Sequence, residues 1–309
     1  MDDTEHRSPD AKTACGFTAL IGAPNSGKST LTNALVGAKV SIVTHKAQTT
    51  RGPVRGIALI GDSQVILVDT PGIFQPKRRL DRAMSAAAWD RAGDADLIVL
   101  VIDAKRGLDE SVIPLLRHLH QIKRPTIAVL NKIDLVSKPE LLRLASEVSA
   151  QFSFDQVFML SALTGDGVAD LKAYLAAAVP PGPWLYPADQ LTDASLRQAA
   201  AEITREKLFL RLHDELPYAL TVEATEWKEF TDGSVRIEQT IFVERDTQKK
   251  IVLGAKGATI KEISIAARAD IAAMLERPVH LFLFVKVRGR WGEDPERYRE
   301  MGLDYPKGG

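Results

Sequence analysis

The sequence predicts a mostly parallel α/β sheet with helices on both faces, followed by a smaller α+β module. Three observations carry this. Short apolar runs alternate with helical stretches from Gly16 to about Val179. The run Val179-Pro180-Pro181-Gly182-Pro183 then stops the last helix. Beyond it the order of strands and helices changes.

In the first part, residues 17–21, 65–68, 97–102, 126–130 and 157–160 read as strands, with helices near 29–36, 81–92, 110–120, 139–152 and 168–178. The strands are apolar throughout rather than alternating, so both faces are buried, as in a parallel sheet covered by crossover helices. Such sheets bind ligands in the loops beyond the C-terminal ends of their strands. After the break come a polar helix, 194–213, and two strand candidates, 219–224 and 235–243. In the second, Val235, Ile237, Ile241 and Val243 recur with period two, broken by Gln239. A glycine-bounded turn, a helix over 259–275 and a strand over 279–287 complete the module. The expected organisation is a disordered tail 1–15, an α/β domain 16–180, a linker 181–193, a second domain 194–290 and a tail 291–309.

At 309 residues, 45% hydrophobic and 26% charged, the chain has the composition of an ordinary globular protein of two domains. Forty basic residues cancel forty acidic ones, so net charge gives no footprint for nucleic acid. A lone cysteine, Cys15, excludes an internal disulfide and fits a reducing compartment; it reads as a small buried residue. No apolar run approaches the roughly 18 residues of a bilayer span, and the N-terminus lacks a secretory signal. A cytoplasmic location is expected, with peripheral contact at the cell membrane left open. His118 and His120 are two apart, which on a helix points them to different faces and argues against a metal site.

Gly22-Ala23-Pro24-Asn25-Ser26-Gly27-Lys28-Ser29 fits the phosphate-binding pattern G-x-x-x-x-G-K-[ST], between a strand and a helix. Glycines let backbone N–H groups turn toward phosphate oxygens, and the helix N-terminus adds positive charge. Lys28 would neutralise phosphate, Ser29 would bind Mg²⁺, and Thr30 extends the binding turn. Asp69-Thr70-Pro71-Gly72 ends a strand, where Asp69 would serve Mg²⁺ and the Gly72 N–H would sense a γ-phosphate. Asn131-Lys132-Ile133-Asp134 decides the base: the Asp134 carboxylate accepts from N1–H and the exocyclic amine of guanine, a pairing adenine cannot offer. Asn131 braces that loop, Lys132 lies over the base, and Ser161-Ala162-Leu163 supplies a backbone N–H for the guanine oxygen. The polar run from Val43 to Arg51 is expected to be the switch, with Thr49 or Thr50 binding Mg²⁺ and Thr50 favoured. GTP and GDP with Mg²⁺ are therefore the expected ligands.

These motifs, with Gln48-Thr49-Thr50-Arg51 and Pro24-Asn25 inside the phosphate loop, resemble the Era group of bacterial GTPases. The resemblance runs on through 248–261 and Pro278-Val279-His280-Leu281. It implies a C-terminal KH domain of type II topology, α-β-β-α-α-β, and binding of the 3′ end of 16S ribosomal RNA during maturation of the small subunit; a monomer is expected, although the residues themselves are silent on oligomeric state. It also makes 247–253 a short helix, although Ile251-Val252-Leu253 alone favours a strand. Gly254-Ala255-Lys256-Gly257 would then clamp an RNA backbone, with Lys249, Lys250, Lys256 and Lys261 around it. Against this, 19 basic residues face 21 acidic ones from Leu185 onward, and Lys286, Arg288 and Arg290 are weaker candidates.

Where signalling GTPases carry a water-orienting glutamine after Asp-x-x-Gly, this chain has Ile73. The resemblance implies that K⁺, held partly by Asn25, takes over part of catalysis. The expected catalytic set is Asn25, Lys28, Thr50, Asp69 and Gly72. Three functions fit: a GTP-driven RNA-binding assembly factor, a GTP-dependent protein or membrane switch, and a GTPase feeding an RNA-modifying activity. The lysine cluster favours the first over the second, and the lack of a catalytic constellation past the linker argues against the third.

Overall fold

The computed structural model describes residues 13–44, 54–73, 79–213, 216–289, 294–300 and 302–305. The chain divides into two compact units, up to Asp193 and from Ala194, except that 42–51 and 76–84 group with the second.

The first unit holds a six-stranded sheet. Its strands are β1 (Ala14–Ile21), β2 (Val54–Ile60), β3 (Ser63–Asp69), β4 (Leu97–Asp103), β5 (Thr126–Asn131) and β6 (Val157–Leu160). Their order is β2-β3-β1-β4-β5-β6, all pairs parallel except β2 with β3. The helices are α1 (Lys28–Val36), α2 (Arg79–Asp94), α3 (Ile113–Leu119), α4 (Lys138–Gln151) and α5 (Val168–Ala178). Successive strand residues point to opposite faces, and this sorts each apolar run into two cores. Ile98, Leu100 and Ile102 of β4 pack with α2, α3 and α4, while Leu97, Val99 and Val101 pack with α1 and α5.

Sequence reasoning missed β2. Gly56 interrupts its apolar pattern for a packing reason: a Cβ there would lie 2.8 Å from Val36 Cγ2 and 3.0 Å from Thr32 Cγ2, so the glycine lets α1 close on the strand. The Gly61-Asp62 pair between two apolar runs was the available hairpin signal.

Ala14 and Cys15, counted with the expected N-terminal tail, open β1, and residues 1–12 lie outside the described residues. Cys15 is half-buried, its thiol 3.6 Å from Gln64 Oε1. The stretch 181–193 is bound to the β2–β3 edge. Fully buried Gln64 accepts at Oε1 from the Leu185 and Tyr186 amides, at 2.9 and 3.0 Å, and donates to the Tyr186 carbonyl at 2.8 Å. Ile57 N–H donates to the Leu191 carbonyl at 2.8 Å, and Arg55 pairs with Asp193 at 2.9 Å. An edge strand has backbone groups to satisfy, and this segment satisfies some of them.

In the second unit α6 (Leu196–Arg211), β7 (Leu220–Glu229), β8 (Val235–Val243), α7 (Asp246–Leu253), α8 (Ala258–Leu275) and β9 (Val279–Val287) follow one another. This is the α-β-β-α-α-β order of a type II KH domain, and 247–253 is helical. The sheet runs β7-β8-β9, antiparallel then parallel. One face carries Val235, Ile237, Ile241 and Val243 against α6, α7 and α8; the other exposes Phe282 and Phe284. Gln239, fully buried, separates two apolar clusters, and its amide has no hydrogen-bond partner among the described residues. The C-terminal stretch expected as a tail contains α9 (Pro295–Glu300), where Tyr298 is fully buried.

Candidate nucleotide and RNA sites

The first loop leaves β1 at Gly22, where a Cβ would fall 2.4 Å from the Val101 carbonyl oxygen. Asn25, exposed, takes the left-handed conformation with φ 64°, and Gly27 caps α1 at φ 98°. Lys28, the first residue of α1, is buried and donates to the Gly22 and Ala23 carbonyls at 3.1 and 3.0 Å. Burial pushes its pKa down to about 8, partly opposed by the charge of Asp69. Ser26 Oγ is buried with no hydrogen-bond partner among the described residues. A buried ammonium held by neutral carbonyls, beside an orphaned hydroxyl and a helix N-terminus, is chemically complementary to phosphate. Ser29 and Thr30 lie half-buried in the first turn of α1.

Asp69 ends β3 fully buried, and its Oδ2 accepts from Ser41 Oγ at 2.9 Å. Thr70 Oγ1 donates to the Leu20 carbonyl at 2.7 Å, tying this loop to β1. Gly72 lies against the phosphate loop so closely that a Cβ would meet Pro24 Cα at 2.9 Å. Ile73 donates its N–H to the Gly22 carbonyl at 3.1 Å and buries its side chain in the core. A core side chain cannot orient water.

Asn131, at the end of β5, joins three loops. Its Nδ2 donates to the Ser26 carbonyl at 2.9 Å, and its Oδ1 accepts from the Lys132 and Ala162 amides at 2.8 and 3.0 Å. The Ala162 N–H, within the tripeptide expected to meet the guanine oxygen, is thus engaged by Asn131. Ser161 is buried and Leu163 is 80% exposed. Lys132 is left-handed with φ 68°; its ammonium donates to the Asn25 carbonyl and pairs with Asp103, both at 2.6 Å. Asp134 follows in a 3₁₀ turn, exposed. All four loops sit at the C-terminal ends of β1, β3, β5 and β6, as a parallel sheet dictates. Thr49 and Thr50 lie outside the described residues, which hold only Val43 and Thr44 of the expected switch.

In the second unit, 254–257 connects α7 to α8. Gly254 has φ 73°, and a Cβ there would meet Thr259 Oγ1 at 2.2 Å and Thr259 N at 2.8 Å. Lys256 (φ 51°) and Gly257 (φ 79°) also have positive φ. Ala255, Lys250, Lys256 and Lys261 are exposed and Lys249 half-buried. Of the weaker candidates, Arg288 pairs with Asp294 at 2.6 Å, Lys286 is exposed, and Arg290 lies outside the described residues.

Sequence reasoning missed Asn33, Ser41 and Asp103. An acidic residue closing an apolar strand was a signal for Asp103; nothing local marked the other two. His118 stacks on Trp89 with centroids 4.0 Å apart, and no group of three or more His, Cys, Asp or Glu able to hold a metal occurs among the described residues. Among those residues no helix is long and apolar enough to cross a membrane.

Residues 17–132 match the family model of the 50S ribosome-binding GTPases, and 215–292 match the KH domain. The chain is 61% identical to the GTPase Era of Afipia carboxidovorans, covering 99% of this chain and 100% of that protein. It is 62% identical to the GTPase Era of Brucella suis, covering 96% and 95%. Two solved structures, each 36% identical with a TM-score of 0.89, cover 94% of this chain and 99% of theirs. One is an Aquifex aeolicus Era variant bound to GDP and AlF₄⁻; the other is Era with MgGDPNP and nucleotides 1506–1542 of 16S ribosomal RNA.

Proposed function

The chain belongs to the Era family of GTPases, and on that premise we propose a GTP-controlled switch that grips the 3′ end of 16S ribosomal RNA through its KH domain during maturation of the small subunit. It hydrolyses GTP to GDP and phosphate with Mg²⁺. The observation that carries the RNA assignment is the 254–257 loop: Gly254 is forced by Thr259, and Lys250, Lys256 and Lys261 stand exposed around it. Close backbone approach with flanking positive charge suits a nucleotide backbone. The relative solved with 16S nucleotides supports the same reading. The work is cytoplasmic in this reading, and the chain acts as a monomer.

In the nucleotide site, Ser26, Lys28 and the N–H groups of 22–29 other than Pro24 hold phosphates; Ser29, Asp69 and Thr50 hold Mg²⁺; Asp134 reads guanine; Gly72 reports the γ-phosphate. Mg²⁺ supplies charge neutralisation at the phosphates. Because Ile73 is buried, water orientation and charge stabilisation fall elsewhere, and we assign part of that work to K⁺ at Asn25. Hydrolysis should run faster in K⁺ than in Na⁺; equal rates in both salts, unchanged by Asn25→Ala, would remove K⁺ from the account. For the RNA assignment, binding of a single-stranded RNA copy of the 16S 3′ end should weaken in Lys256→Glu and in loop-glycine variants. Full affinity in those variants would favour a switch whose second domain serves a protein or membrane partner.

A further inference from the structure

Asp69 does not hold its place alone. Ser41 Oγ donates to Asp69 Oδ2 at 2.9 Å, with Ser41 3% and Asp69 0% exposed. Ser41 is itself clamped by Asn33 of α1. The Asn33 amide donates from Nδ2 to the Ser41 carbonyl at 2.8 Å and accepts at Oδ1 from the Ser41 and Val40 amides, each at 2.9 Å. Its main-chain carbonyl accepts the Gly37 N–H at 2.8 Å, closing the left-handed C-cap of α1. The side chain of one asparagine therefore fixes the loop that follows the helix, using both its ends on backbone groups.

We propose that Ser41 and Asn33 are positioning residues for Mg²⁺: Asn33 sets the Ser41 backbone, and the Ser41 hydroxyl holds the Asp69 carboxylate where the metal needs it. This rests on the assignment of Asp69 to Mg²⁺ above. An ionised carboxylate only accepts hydrogen bonds, so the serine hydroxyl is the donor and the bond is charge-assisted. Both partners are shut away from water, so no solvent molecule stands ready to replace the hydroxyl when it is removed. Groups that orient metal-serving carboxylates typically change metal affinity by about 10- to 100-fold on mutation.

The chain position of Ser41 adds a second consequence. One residue, Ile42, separates it from the segment 43–51 expected to carry Thr50. The hydroxyl thus joins the end of β3 to the chain that leads toward the segment expected as the switch. Helix α1 begins at Lys28 and Ser29 and reaches Asn33 one turn later, so one helix carries both the end of the phosphate loop and the residue that clamps Ser41 beside Asp69.

The test is release of a fluorescent GDP analogue from the full chain across an Mg²⁺ titration, in wild type, Ser41→Ala, Ser41→Thr, Asn33→Ala and Asp69→Asn. Binding of the analogue in excess EDTA reports whether each variant is folded. The expected result is a 10-fold or greater rise in the Mg²⁺ concentration that half-maximally slows release for Ser41→Ala and Asn33→Ala. Ser41→Thr, which keeps the hydroxyl, should stay within about threefold of wild type, and binding in EDTA should be unchanged. An unshifted midpoint in Ser41→Ala and Asn33→Ala beside a shifted one in Asp69→Asn overturns the positioning role alone. An unshifted midpoint in all three overturns the assignment of Asp69 and the proposal with it.

Discussion

A methyl group on Gly27 would fall 2.1 Å from the side-chain nitrogen of Asn131. The glycine of the phosphate loop and the asparagine of the base-reading loop are therefore one contact, in which Asn131 Nδ2 donates to the neighbouring Ser26 carbonyl. Gly27→Ala and Asn131→Ala should each weaken GDP binding, and Asn131→Ala should partly rescue Gly27→Ala by removing the clash. A thermodynamic cycle on GDP affinity should give a coupling of about 1–2 kcal/mol. Strict additivity would mean that the loops act separately.

Lys28 titrates near pH 8 in the free protein because burial disfavours its charge. Bound phosphate restores the charge, so nucleotide binding above about pH 8 should take up a proton and weaken as pH rises further. The stability sign follows from the same shift. The folded pKa lies below the ordinary 10.5, so the free fold binds fewer protons than the unfolded chain between these values and gains stability as pH climbs through them. Calorimetry of GDP binding at pH 8.5, in buffers of different ionisation heat, counts the protons. A count of zero refutes the assignment.

Gly254→Ala should abolish most RNA affinity while leaving GTP hydrolysis intact. A second change, Thr259→Ala, should not restore it, because the Thr259 backbone nitrogen also stands 2.8 Å from the added carbon. Lys256→Glu should weaken binding and flatten its dependence on salt concentration, as loss of a phosphate contact requires. Filter binding at two salt concentrations separates these effects.

Gln239 spends a buried amide without a hydrogen bond among the described residues. Gln239→Leu should stabilise the second unit by about 1–3 kcal/mol, because the desolvation cost of the amide disappears and the volume is kept. Urea unfolding of the full chain would show a raised midpoint for the affected transition. A fall in stability would reveal a partner for the amide.

Much of the candidate nucleotide site was legible because the chemistry expected there needs particular residues at particular spacings. Gly22, Gly27, Lys28, Asp69, Asn131 and Asp134 announce themselves at strand ends. The strands of the parallel sheet were equally plain, since burial on both faces leaves no alternation. Strand β2 was not, because Gly56 serves α1 rather than the strand pattern. Nor could 181–193 be told from a free linker. Its anchor, Gln64, is one polar residue beside an apolar run, and its three bonds to Leu185 and Tyr186 cross more than a hundred positions.

By itself the sequence determined the architecture and the expected ligand: a parallel sheet from unbroken apolar runs, a triphosphate pattern from Gly22 to Ser29, and an expectation of guanine from Asn131 to Asp134. Only the tertiary structure decided how those parts hold one another. It placed Asn131 across Ser26 and Ala162, set Ser41 on Asp69 under the grip of Asn33, and buried Ile73 in the core. The physical reason is that residue identity fixes what a group can donate, accept or exclude, whereas hydrogen bonds between distant loops depend on where the sheet delivers them.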